Sequence, residues 1–219
     1  MAARERFDHE IGAIQSELLR LSNLSINALE TSFNAFINKD LEKGREIIEQ
    51  DAVINRLEEE INDRVILVMT RQQPVAKDLR RLVVLLKAAA DMERVGDYAV
   101  NIAKETIRIG NERFITSVEL LEDMCYKTTE MLREVVQAFV DENTSKAKEI
   151  AEYDDQIDEM YGNIISHLMR LSAVAPESIA QITYLSFICR YIERCADLAT
   201  NIAEYLFYLK KGQRYDLNQ

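Results

Sequence analysis

Glu93-Arg-Val-Gly-Asp97-Tyr-Ala-Val-Asn101-Ile-Ala103 returns one hundred positions later as Glu193-Arg-Cys-Ala-Asp197-Leu-Ala-Thr-Asn201-Ile-Ala203, with seven of eleven positions identical. A repeat of this quality makes the chain one unit used twice. On a helix, residues i and i+4 lie one above the other. Glu93, Asp97 and Asn101 therefore form one ladder of oxygen-bearing side chains, and Glu193, Asp197 and Asn201 form a second. Stacked like charges repel, and more so when withdrawn from water, so each copy requires something that offsets the repulsion.

Working outward, the chain reads as six helices. Ile11, Ile14, Leu18, Leu21, Ile26, Leu29, Phe33 and Phe36 recur at helical spacing and predict a first helix over 7–37. Asp40 is placed as the N-cap of a second helix that runs to about residue 71. Pro74 fits the first turn of a third, over 75–109, with Gly110 as its stop. Thr116-Ser-Val-Glu119 has the spacing of a capping box for a fourth helix, ending near Asp141. Asn143-Thr144-Ser145 caps a fifth, running to about Ser172, and Pro176 opens a sixth that Lys211-Gly212 closes. Segments also align at an offset of 103, such as Asp51 with Asp154 and Ile54 with Ile157. Long helices joined by short turns must lie antiparallel to bury their stripes. The expected fold is all-α: two tandem, pseudo-symmetric three-helix bundles, residues 1–111 and 112–219.

Composition limits the function classes. Of 219 residues, 47% are hydrophobic, enough for a sizeable core, while six Gly and two Pro suit long helices. A net charge of −11 speaks against nucleic acid, which needs a basic stripe. Cys125, Cys189 and Cys195 show no metal or disulfide spacing and are expected as half-buried packing residues in a reducing compartment. The N-terminus has no apolar signal core, and no run approaches the roughly 20 residues of a membrane span. The expectation is a cytoplasmic protein without membrane insertion. His9 and His167 have no ligand-spaced partners, and the aromatic run Tyr205–Leu209 reads as core packing.

In an antiparallel hairpin, residues equidistant from the turn come level. Asp51 and Asp97 are equidistant from Pro74, as are Asn55 and Glu93; Asp154 with Asp197 and Asp158 with Glu193 both centre on the Ala175–Pro176 bond. Two quartets result: Asp51, Asn55, Glu93 and Asp97, then Asp154, Asp158, Glu193 and Asp197. Convergent oxygen donors suit hard divalent or trivalent cations such as magnesium, calcium, manganese or iron. Asn101 and Asn201 stand as outer ligands or as hydrogen-bond donors to the facing helix. The stripe Leu82, Leu86, Ala89 continues into Glu93, whereas Glu193 flanks its stripe, so the first quartet is expected on or beside the bundle-facing side, a placement the second stripe supports less. The plainer alternative is a surface network in which Arg94, Arg194 and nearby lysines pair with these acids.

The segments Arg71-Gln-Gln-Pro-Val-Ala-Lys-Asp-Leu-Arg80, Asp91-Met-Glu-Arg-Val-Gly-Asp97 and Tyr191-Ile-Glu-Arg-Cys-Ala-Asp197, with Asn201-Ile-Ala-Glu-Tyr-Leu-Phe-Tyr208, resemble the PhoU family of phosphate-regulon regulators. The resemblance covers essentially the whole chain. It implies two three-helix bundles with two acidic motifs each, which in some members hold iron or zinc clusters; manganese or magnesium would suit the same donors. Carried over, the metal positions are Asp51, Asn55, Glu93, Asp97, Asp154, Asp158, Glu193 and Asp197. Asn55 departs from the pattern by replacing an acid, and Ala196 by replacing the glycine of the first copy. The resemblance further implies a non-enzymatic adaptor, often a homodimer. Its implied partners are the ATPase subunit of a phosphate ABC transporter and a phosphate-sensing histidine kinase, and such an adaptor works at the inner face of the membrane. The alternatives are a metal-free helical scaffold and a carboxylate-bridged di-metal enzyme; the latter needs Glu-x-x-His pairs that this sequence lacks.

Overall fold

The computed structural model describes residues 2–213, the side chains of residues 2, 3, 151 and 152 excepted. Its elements are α1 (Ala2–Asn38), α2 (Leu41–Gln72), α3 (Lys77–Ile109), α4 (Glu119–Val140), α5 (Thr144–Val174) and α6 (Ile179–Lys211), with a single 3-10 turn, Pro176–Ser178, leading into α6. Among the described residues there is no strand. α1, α2 and α3 pack on one another, as do α4, α5 and α6. The two bundles meet through α3 against α6 and α1 against α4, and one continuous apolar core runs through both.

The repeat extends to the backbone of the turns. Asp40 accepts from the Lys43 N–H at 2.9 Å and Asn143 from the Lys146 N–H at 3.2 Å, capping α2 and α5. The residue before each cap is left-handed, Lys39 at φ 54° and Glu142 at φ 51°. The cap N–H then reaches back to Ala35 or Ala138, at 2.8 Å in both halves. Glu142 accepts from Arg81 at the start of α3 and pairs with Lys210 at the end of α6, so α3 and α6 run antiparallel. Between them Tyr98 and Tyr191 stack with centroids 5.8 Å apart, and the Tyr205 hydroxyl donates to Asp91 at 2.8 Å. Tyr205 and its aromatic neighbours belong to the core, as expected.

Four local expectations need correction. Pro74 does not enter the first turn of α3. The chain turns through left-handed Gln73 and through Ala76 at φ 48°, and α3 begins at Lys77. The Thr116 capping box does not form, because Thr116 Oγ1 pairs with His167 Nε2 at 2.9 Å. Ser117 Oγ accepts from the Glu119 N–H instead, and α4 starts at Glu119. Pro176 opens the 3-10 turn ahead of α6. All three cysteines are fully buried, and burial pushes their thiols up, away from reactive thiolate.

Candidate functional site

Each acidic face lies on one hairpin, α2–α3 or α5–α6, and in each the acids of the two helices act on one another. Burial, then the charges of Asp97, Glu58 and Asp51, pushes the Glu93 carboxyl up to about 7. Burial and Asp51 likewise raise Asp97. In the second half burial raises Asp154 to about 6, the Thr200 hydroxyl working against it and Asp197 and Asp158 adding to it. Burial and Asp197 raise Glu193 to about 7 although Arg190 and Arg194 oppose the shift, and burial and Asp197 raise Asp158. Like charges facing one another across a hairpin disfavour ionisation.

Burial differs between the faces. Glu193 is 7% exposed and Asp154 4%, while Glu93 and Asp51 are half-buried; Asp97 is exposed, and in the second half so is Asp158. Arg190, one turn earlier, lies against Glu193.

The compensation differs as well. Arg190 Nη1 donates to Glu193 Oε1 at 2.6 Å, with its guanidinium over the Tyr161 ring at 5.6 Å. Arg194 Nη1 donates to Asp197 Oδ2 at 2.7 Å, and its Nε lies 3.8 Å from Glu193 Oε2. In the first half Arg94 turns away, to Asp91 Oδ1 at 3.8 Å. Among the described residues no Lys or Arg forms an ion pair with Asp51, Glu58, Glu93 or Asp97. The ion-pair alternative thus describes Glu193 and Asp197 of the second face, leaves Asp154 and Asp158 without an ion pair among the described residues, and fails for the first face.

Asn55 Nδ2 donates to Asp51 Oδ2 at 3.1 Å, and this leaves Asp51 Oδ1 and Asn55 Oδ1 buried without a hydrogen-bond partner among the described residues. Glu58 is an acid that the quartet pattern missed: seven residues after Asp51, it lies on the same face of α2 two turns on. Asn101 and Asn201 are half-buried and, among the described residues, make no side-chain hydrogen bond to a facing helix. Exposed His9 contributes nothing to either face, and His167 is held by Thr116. A cavity of about 250 Å³ between α1, α2 and α3 is lined by Asn27, Thr31, Lys43, Gln50, Asp51 and Gly96 among others, so the first face opens to it through Asp51.

Gly96 explains how the first hairpin closes. A Cβ there would stand 3.0 Å from Ile54 Cδ1 and 3.1 Å from Ile54 Cγ2. The second hairpin accommodates Ala196, fully buried, at the same place.

Among the described residues no three His, Cys, Asp or Glu side chains are gathered as a metal-ligand set. The first face nonetheless fits a hard cation by donor chemistry: four carboxylates and an amide oxygen, two buried oxygens without partners, and, among the described residues, no ion pair, with Arg94 and Lys104 acting on Glu93 and Asp97 only from a distance. An ion, not the protein alone, would have to draw these oxygens together. The second face also buries oxygens without hydrogen-bond partners among the described residues, Asp154 Oδ1 and Glu193 Oε2, but it fits less well, since arginines already pair with Glu193 and Asp197.

The PhoU domain matches this chain twice, over residues 18–106 and 121–206. The chain is a member of the PhoU family. The PhoU homolog of Clostridium acetobutylicum, described as a phosphate-specific transport system accessory protein, is 33% identical over 216 residues, covering 98% of this chain and 99% of that one. The PhoU accessory protein of Escherichia coli K12 is 28% identical over 210 residues, covering 96% and 87%. Crystal structures of PhoU from Streptococcus pneumoniae, a phosphate transport system regulatory protein, and from Pseudomonas aeruginosa superpose with TM-scores of 0.90 and 0.91. Their identities are 30% and 27%, and they cover 96% and 94% of this chain and 99% and 100% of theirs. The six helices in two bundles are thus the PhoU fold, and the two domain matches fall on the two acidic hairpins.

Proposed function

We propose that this PhoU-family chain is a metal-binding regulator of phosphate transport and phosphate-starvation signalling. It works at the cytoplasmic side as a non-enzymatic, homodimeric adaptor between the ATPase subunit of a phosphate ABC transporter and a sensor histidine kinase. When phosphate is plentiful it lowers uptake and represses the phosphate regulon. The observation that carries this reading is the end-to-end likeness to proteins described as accessory or regulatory in phosphate transport. No helix among the described residues is long and apolar enough to cross a membrane, so contact with a transporter would run through protein surfaces.

The cation belongs on the first acidic face, held by Asp51, Asn55, Glu58, Glu93 and Asp97. When bound it supplies positive charge that offsets the repulsion of these acids and ties α2 to α3. Oxygen donors without His or Cys favour iron, manganese or magnesium over zinc. Deleting the gene in its own host tests the regulatory reading. Uptake and phosphate-responsive transcription should rise in phosphate-rich medium; unchanged levels of both would refute it. Crosslinking to the transporter ATPase and the kinase in membranes of the same strain checks the adaptor role.

A further inference from the structure

We propose that the two acidic faces are not equivalent: the first takes an external cation, while Arg190 and Arg194 occupy Glu193 and Asp197 of the second and so close it to metal. The inference rests on the cation reading of the first face given above.

Both faces carry four carboxylates: Asp51, Glu58, Glu93 and Asp97 in one, Asp154, Asp158, Glu193 and Asp197 in the other. What differs is the surrounding residues at repeat-equivalent positions. Tyr161 stands where the first half has Glu58, and Arg190 stands where it has Ala90. The Tyr161 ring supports the Arg190 guanidinium at 5.6 Å, and Arg190 donates to Glu193 at 2.6 Å. An arginine stacked on a ring and bonded to a buried carboxylate is held in place by both.

A second substitution redirects the arginine that the halves share. In the first half Asp91, 5% exposed and bonded by Tyr205, draws Arg94 away from Glu93 and Asp97. Its counterpart is Tyr191, which carries no charge and stacks on Tyr98. With no acid at that position, Arg194 turns to Asp197 at 2.7 Å. One exchange at 91/191 thus decides whether the repeated arginine serves the acidic face or leaves it.

Access differs in the same sense. The cleft of the first half reaches Asp51. The matching groove between α4 and α5 is lined by Tyr126, Met131, Ile150 and Tyr153 among others and does not reach Asp154. Met131 and Tyr153 replace Ala28 and Gln50 of the first cleft.

The test is a Mn²⁺ titration of the chelator-stripped full chain by equilibrium dialysis, with bound metal counted by mass spectrometry. Glu93→Gln/Asp97→Asn should weaken binding at least tenfold, and Asp154→Asn/Glu193→Gln should leave the wild-type isotherm unchanged. Arg190→Gln/Arg194→Gln should bind twice the wild-type amount, and Arg190→Lys should not. Equal losses from the two acid-removing pairs would overturn the inference while leaving the cation reading intact. Wild-type protein that binds no Mn²⁺ would overturn both. Because the acid-removing pairs decide the matter by themselves, failure of the arginine variant to fold leaves the test valid.

Discussion

The two acidic hairpins share a backbone and a spacing of acids, yet they neutralise those acids by different means. The α5–α6 face buries Asp154 and Glu193 and carries its own cations, Arg190 and Arg194. The α2–α3 face has no arginine partner and lies at the end of a cleft. Duplication conserves a frame; the residues one turn to either side of the motif decide what the frame holds. For this chain those residues are Asp91 against Tyr191, Ala90 against Arg190 and Glu58 against Tyr161.

Truncating the shared features in parallel sharpens the contrast. Arg190→Ala should destabilise the protein by about 1–2 kcal/mol in chemical denaturation, because it strips a buried carboxylate of its partner, a loss moderated by the partial exposure of Arg190. Arg94→Ala, removing a longer pair from a buried Asp91 that keeps its bond from Tyr205, should cost under about 0.5 kcal/mol. Equal losses would mean that the arginines play the same part in both halves.

Gly96→Ala should cost about 1 kcal/mol net. Ile54 is β-branched and stiff in a helix, so its Cγ2 cannot swing from the new methyl, and the strain of about 1–3 kcal/mol outweighs the better helix propensity of Ala. Shortening Ile54 to Val removes Cδ1, the nearer contact, but leaves Cγ2, so in combination with Gly96→Ala it should cost less than the sum of the two separate changes.

The smallest effect is on pH. Glu93 and Glu193 bind a proton more tightly in the folded chain, near 7, than at their ordinary value of 4.5. Their contribution to stability is therefore greatest below about 4.5 and is lost as pH rises through about 7. The chelator-stripped protein should melt a few degrees lower at pH 8 than at pH 5.5. Glu93→Gln/Glu193→Gln should flatten that dependence, and Mn²⁺ should relieve the part due to Glu93.

Much of this was legible in the sequence. Apolar periodicity placed all six helices, and Asp40 and Asn143 were recognisable caps because an acceptor side chain directly before an apolar stripe has few other uses. Counting from the turns brought Asp51 level with Asp97 and Asp158 with Glu193, and the charges do act on one another. The helix starts near Pro74 and Thr116 were misplaced because they depend on left-handed non-glycine residues and on a long-range partner, His167. Glu58 was missed because i, i+4 pairs were sought and it lies at i+7 from Asp51. The partner of Glu193 was missed because Arg190 lies outside the repeated motif.

The central claim, that a cation belongs to the first face alone, is met most directly by crystals of the full chain grown with Mn²⁺ and measured at the manganese edge. The account predicts anomalous density between Asp51, Glu93 and Asp97 and none beside Asp154, Glu193 and Asp197. Density of equal strength at both faces, or at the second alone, would contradict it.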